Sequence, residues 1–340
     1  MNAKTPDVNS QNKRGELNQL DPVTADSLAR KSDTAKPPPD NVRAALWLLA
    51  SGVLFTLTSV MVKQLGDSLD PFQITLFRLL VSLVLIAPFL IRAGRQAGGI
   101  HTSVPGLQVL RGIVGTSAMM LGFYAIVNLP LAEAQAISFT RTLFLVPLAA
   151  FLLSEAVGVR RWVAVLIGFV GVLIILRPGS GLTFSLGALA GLGHAFLVAV
   201  ATILVSIVSR HDRPVTLMFY TGLVGTLFAA IPAILVWTNP TLEEYGMLFL
   251  MGIFAAAAHN CFIRAYAIGE ASAIAPFDYI RLVLAGVAGY LVFDTIPDRY
   301  SWLGAGVIIS SAFYIIRREA QIAKTRTIKT QTIGSKNEPS

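Results

Sequence analysis

The sequence predicts an all-α membrane protein of ten transmembrane helices, arranged as two inverted five-helix repeats. Three observations carry that expectation. Hydrophobic residues make up 54% of the 340 positions and charged residues 14%, where a soluble chain carries about 25% charged residues. The apolar residues gather in runs separated by short breaks with turn chemistry. Residue patterns from the first half return in the second at a fixed interval.

The elements follow in order. Residues 1–42 are polar, rich in Lys, Ser, Asn and Asp, and close on Pro37-Pro38-Pro39, which reads as a disordered tail. They hold no apolar run of the kind a cleavable signal needs. Apolar runs then fall near 43–62, 72–92, 105–127, 131–152, 162–177, 184–208, 214–237, 243–267, 271–293 and 301–317. Most approach the ~20 residues that carry a helix across a ~30 Å hydrocarbon core. They are too long and too continuously apolar for barrel strands. The breaks hold Asp70-Pro71, Asn128-Leu129-Pro130, Arg177-Pro178-Gly179, Arg213-Pro214, Asn239-Pro240 and Pro297-Asp298. Residues 319–340 are polar again and read as a second disordered tail.

Charge sets the orientation. With ten spans both tails lie on one side. That side also takes the loops with Arg92, Arg95, Arg160, Arg161, Arg210 and Arg213, against Lys63, Arg177 and Arg299 on the other. Basic residues favour the cytoplasmic side, so both termini are expected in the cytoplasm. The net charge of +8 comes largely from the tails. It suits an anionic lipid surface and is not a nucleic-acid footprint.

The recurrence divides the chain at 43–178 and 184–318. Arg141 and Arg281, Trp162 and Trp302, and Arg177 and Arg317 are each separated by 140 positions. Pro71 and Pro214, and Phe77 and Tyr220, are separated by 143. Five spans is an odd number, so the second repeat enters the membrane inverted. That is the plan of many secondary transporters, whose sites lie near the midplane between repeats.

Residues 123–179 and 265–319 resemble the two signature segments of the drug/metabolite transporter superfamily, EamA type, and the resemblance spans roughly 43–319. It implies ten helices, alternating access and no cofactor. Bacterial members with this signature resemble importers of riboflavin or S-adenosylmethionine and exporters of amino acids and metallophores. Two departures stand out: Thr142 where members often carry Pro, and Phe293-Asp294 where they often carry Gly-Glu.

Ionisable residues inside spans are costly and commonly mark a cavity. Arg141 and Arg281 fall near mid-span and are repeat equivalents. Together they would favour an anionic or strongly accepting ligand. Asp278 is three residues before Arg281 and either pairs with it locally or serves the site. Arg78 either lines the cavity or snorkels. Tyr124, Gln135, Phe139, Asn260 and Tyr279 are candidates to line a pocket for a planar ligand. Glu133 and Asp278 are the candidate proton-coupling groups, although an acid such as Glu133 at a helix N-terminus is also favoured by the dipole. Arg111 reads as an interfacial anchor. Asp294 is expected to bridge to Arg299, and Glu155 to Arg160 and Arg161.

His194 and His259 are isolated, and Cys261 is the single cysteine, so neither a metal site nor a disulfide is expected. No phosphate-cradling loop is present, which excludes ATP-driven transport by this chain alone. A membrane-embedded enzyme would need a nucleophile–base or metal constellation, and the sequence offers none. The reading is a gradient-driven transporter of a small organic metabolite in the bacterial inner membrane, with riboflavin uptake foremost. Amino acids and S-adenosylmethionine are the alternatives, and a proton is the candidate coupling ion.

Overall fold

The computed structural model describes residues 40–94, 101–152, 159–176, 185–209, 211–212, 214–269, 274 and 277–336. The expected disordered tail at 1–42 lies almost wholly outside these residues, as do Glu155 and Arg177. The described helices are α1 (Asn41–Leu65), α2 (Pro71–Gly94), α3 (Pro105–Asn128), α4 (Leu131–Ser138), α5 (Arg141–Leu152), α6 (Val159–Leu176), α7 (Leu186–Val208), α8 (Pro214–Leu235), α9 (Leu242–Ile268), α10 (Ile280–Phe293) and α11 (Arg299–Lys336). Seven segments are long and apolar enough to cross a membrane, with α4 and α5 counting as one, and α6 and α10 contain shorter apolar stretches. The protein is an all-α, multi-pass membrane protein.

The two repeats are interleaved. The first helix of each packs along the third helix of the other: α1 along α9, and α7 along α3. Equivalent helices also pair with each other, α2 with α8 and α6 with α11. The registers run antiparallel, as an inverted repeat requires. On α1 and α9, Ala44 and Leu48 meet Ala265, while Val62 and Leu65 meet Leu248 and Met251.

The same contact recurs with its partners exchanged. Ser51 Oγ donates to the Ala258 carbonyl at 2.9 Å. His194, 143 positions after Ser51, bonds through Nδ1 to the carbonyl of Ala118 at 2.7 Å. Between α6 and α11, Ser311 Oγ donates to the Ala164 carbonyl. At the equivalent crossing Gly171 faces Gly304, where an added Cβ on Gly171 would sit 2.8 Å from the Gly304 carbonyl oxygen. Only glycine lets the backbones approach that closely, the small-residue packing of membrane helices.

The structure departs from the expected spans in three places. The fourth crossing is broken at Phe139–Thr140 into α4 and α5. Ser138 Oγ donates to the Gln135 carbonyl at 2.8 Å and Thr140 Oγ1 to the Ile137 carbonyl at 2.7 Å, so short side chains compete for the helix's own acceptors. The ninth crossing breaks at the equivalent Tyr279, and α10 keeps only 14 residues, about 21 Å of helix. Thr142 N–H to the Phe139 carbonyl and Leu282 N–H to the Tyr279 carbonyl, 3.2 and 3.0 Å, are the same tight turn in both repeats. Finally, α11 continues to Lys336, through the segment from 319 expected to be disordered. The onset of charge ends the apolar run without ending the helix: Ala320, Gln321, Ala323 and Lys324 are good helix formers, and Gly334 is the first glycine after Gly306.

Two loop expectations are also revised. Arg299 turns to Tyr300, with Nη2 to the hydroxyl at 3.2 Å, and does not bridge Asp294. Asp294 instead closes α10 in the left-handed conformation, φ 51°, a conformation Asp tolerates better than most residues.

Candidate functional site

The paired helix breaks build the site. Phe139 and Tyr279 are repeat equivalents at the two breaks, and their rings stack on each other, centroids 4.8 Å apart and tilted 53°. The pseudo-twofold axis therefore passes between them. Two residues later, Arg141 and Arg281 stand on either side of that axis, at or next to the first residue of α5 and of α10.

Asp278 joins both. Its Oδ2 accepts from Arg141 Nη2 at 3.2 Å, and its Oδ1 faces Arg281 Nη1 at 3.7 Å. Asp278 thus pairs locally with Arg281 across the break at Tyr279, as one sequence reading has it, and also across to the first repeat, which spacing does not disclose. The side chains of Asp278, Arg281 and Arg141 are 10%, 14% and 31% exposed, so Arg141 is the most accessible of the three. The first-repeat equivalent of Asp278 is Ser138, so the acid exists on one side of the axis only. Arg281 also lies 4.4 Å from the centroid of Phe55, and Arg141 lies 5.8 Å from that of Phe139. Cation–π contact stabilises a guanidinium without neutralising it. Arg281 Nε is buried with no hydrogen-bond partner.

His194 and Arg78 extend the site. His194 Nδ1 donates to the Ala118 carbonyl, so the proton sits on Nδ1. Its partner Ala118 precedes Met119, which Arg78 contacts. Arg78 contacts the Met119 sulfur and lies 5.6 Å from the Phe123 ring centroid. It faces inward among helices rather than snorkelling to an interface.

The other candidates are placed as follows. Gln135 Nε2 donates to Ser138 Oγ at 3.3 Å, beside the first break. Glu133 lies in the first turn of α4 and accepts from Ser301 Oγ at 2.7 Å, tying α4 to the start of α11. Tyr124 is half-buried on α3, and Asn260 is exposed on α9 beside exposed His259. No cluster of metal-ligating side chains occurs among the described residues. Phe55, Met119 and His194 were not among the sequence candidates. Single aromatic, Met and His residues in apolar runs carry no pattern that marks them, and only their position against the arginines does.

Two faces flank the site. At the face away from the termini, Val62, Leu65, Leu69, Ile74, Phe123, Leu248 and Met251 form one buried apolar cluster, and Gly66 lies against Val127. Gln73 locks α2 to the end of α8, donating to the Thr238 carbonyl at 2.7 Å and accepting from its N–H at 3.1 Å. At the terminal face three of the equivalent positions of the other repeat, Asp212, Gln108 and Arg111, are polar. Asp212 accepts from Gln108 Nε2 at 2.7 Å, from the Ser103 N–H at 3.3 Å and from Thr102. Slight burial raises the Asp212 pKa, and the hydrogen bonds from Thr102, Gln108 and Ser103 outweigh it, holding the carboxyl below its ordinary value. Arg111, expected as an interfacial anchor, is buried and donates to Gln108 at 3.0 Å and to the Leu217 carbonyl. Here α7 and α9 are not packed together among the described residues, whereas their equivalents α1 and α3 are.

Comparison with known proteins agrees with this architecture. Residues 42–177 and 185–317 each match the EamA-like transporter family. An S-adenosylmethionine uptake transporter of Rickettsia prowazekii is 30% identical, covering 80% of this chain and 92% of its own. A riboflavin transporter of Vibrio cholerae is 32% identical, covering 82% and 95%. A pseudopaline exporter of Pseudomonas aeruginosa is 28% identical, covering 79% and 97%. A solved structure 18% identical shares the fold, with a TM-score of 0.56 over 80% of this chain and 96% of its own.

Proposed function

The chain belongs to the EamA-like transporter family, and from that premise we propose that it carries a small organic metabolite across the bacterial inner membrane by alternating access, with riboflavin uptake as the leading reaction. It is a membrane transporter rather than an enzyme. Both termini are read as cytoplasmic, from the loop charges.

The observation that carries the mechanism is Asp278 of the second repeat holding Arg141 of the first. This ion pair spans the axis near mid-depth, so a rocking of one repeat against the other must stretch or remake it. A substrate with strong acceptors competes with Asp278 for the accessible Arg141, while Tyr279, backed by the buried Phe139, offers a flat surface beside it. The packed far face and the separated α7 and α9 support the reading of a state open toward the cytoplasm. Protonation of Asp278 would release both arginines at once, which makes it the better coupling candidate of the two acids. Glu133 is engaged by Ser301 at a helix end.

Riboflavin suits the site because its fused ring is planar and rich in carbonyl and ring-nitrogen acceptors. S-adenosylmethionine is a cation and fits an arginine-rich site less well. Amino acids and their derivatives, in either direction, are the remaining reading.

The test is riboflavin uptake by a bacterial auxotroph that lacks its own importer. Saturable uptake is expected, falling by roughly two orders of magnitude in Asp278→Asn or Arg141→Ala, the size expected when one partner of a buried ion pair is removed. No uptake by protein present in the membrane discards riboflavin import. Wild-type rates in Arg141→Ala remove the ion pair from the site. Uptake unchanged by collapse of the proton gradient removes both acids as coupling groups.

A further inference from the structure

Arg141 and Arg281 share Asp278, but Arg78 has no carboxylate partner among the described residues. Its guanidinium rests against the Met119 sulfur and the Phe123 ring, and its Nε is buried without a hydrogen-bond partner. A thioether and an aromatic ring stabilise a cation weakly. They leave its charge uncompensated, which is the arrangement least favourable to a buried ion.

The repeat shows that the fold does not require this charge. The equivalent position on α8 is Thr221, whose hydroxyl makes an ordinary helix bond to the Leu217 carbonyl at 2.7 Å. The helix packs in the second repeat without an arginine there. Arg78 therefore answers a need that the architecture does not create.

It also belongs to the same region as the ion pair. His194 bonds to the carbonyl of Ala118, next to the Met119 that Arg78 contacts, and one turn earlier on α7 Gly191 lies against Ile137 beside the first break. Among the described residues, three guanidiniums then stand against the carboxylate of Asp278. These four groups leave an excess of two positive charges at the centre of the bundle.

We propose that Arg78 is the specificity residue that receives a carboxylate or phosphate on the transported molecule, so that within the planar substrate class an acidic member is taken in preference to its neutral counterpart. The flat part of the ligand lies toward Tyr279, which the buried Phe139 backs. A guanidinium meets either anion through two parallel N–H bonds, and the empty Nε supplies one of the donors. This rests on reading the central ion pair as the transport site. It ranks an acidic planar compound above neutral riboflavin.

The experiment uses the full chain in lipid nanodiscs and matched probes that differ in charge. The pairs are riboflavin 5′-phosphate against riboflavin, and 4-aminobenzoate against 4-aminobenzamide, read by binding and by thermal shift. The charged member of at least one pair is expected to bind tenfold or more tightly. A preference in the first pair alone assigns phosphate, and in the second alone carboxylate. Arg78→Thr installs the residue the other repeat already tolerates, so it is expected to fold and to lose the preference. Arg78→Lys should keep part of it. Equal binding within both pairs overturns the proposal, as does a preference that survives Arg78→Thr. Acid preference lost in Arg78→Thr but binding of every probe untouched by Arg141→Ala would keep Arg78 as an anion site and reject the central ion pair as part of it.

Discussion

The two faces of the bundle are built from equivalent positions and solved differently. Phe123, Leu248, Met251 and Leu69 close the far face as a dry apolar cluster. Their counterparts at the terminal face are Ile263, Gln108, Arg111 and Asp212. Phe123 is 7% exposed and Ile263 44%. Apolar packing is non-directional and is lost all at once when helices part. A hydrogen-bonded cluster can exchange its partners for water, so its net contribution is small. The inverted repeat thus makes two faces of one geometry. The side chains then make one of them firm and the other easy to wet.

The widest contrast is expected from crosslinking, in a Cys261→Ala background. Cysteines at Gly66 and Val127, which touch at the far face, should crosslink nearly completely in the substrate-free protein. Cysteines at the equivalent Ser209 and Ala267, both exposed, should crosslink only under conditions that open the far face. Equal crosslinking of both pairs without substrate would remove the assignment of a state open to the terminal side.

A smaller effect separates Phe123 from Ile263. Phe123→Ala leaves a cavity in the apolar cluster and should destabilise the closed far face by on the order of 3 kcal/mol. Ile263→Ala should stay within about 0.5 kcal/mol, as exposed positions do. Thermal unfolding in nanodiscs and labelling of far-face cysteines would report both. Similar losses for the two variants would mean that the faces do not differ as described.

The smallest effect concerns pH. Asp212 has a lowered folded pKa, so its contribution is present above the unfolded carboxylate pKa and is lost as pH falls through the folded value. Accessibility of the terminal face should rise on acidification in the wild type. In Asp212→Asn it should be higher at neutral pH and lose that dependence. A wild-type profile that is flat in this range would take the carboxylate out of the latch.

Much of the plan was legible in the residues. Runs of about twenty apolar positions betray membrane helices because lipid offers no partner to a free backbone group. The fixed interval between Arg141 and Arg281 betrays duplication, and the odd number of spans betrays inversion. Those two arginines stood out because a charge in hydrocarbon is rare. Other features were hidden. The break at Phe139 depends on whether Ser138 and Thr140 bond backward, a choice that hydropathy does not record. Asp278 reads as a partner of Arg281 by spacing, and nothing along the chain shows that it also reaches Arg141.

The sequence by itself determined the class, the number of crossings, the duplication and the intramembrane charges, because each follows from solvation or from counting. Tertiary structure alone decided three things. Asp278 pairs across the repeats, Arg78 is left without a carboxylate among the described residues, and one of two equivalent faces is packed with apolar side chains. All three depend on which helices lie side by side. An inverted repeat brings together residues well over a hundred positions apart, through contacts that no local pattern encodes.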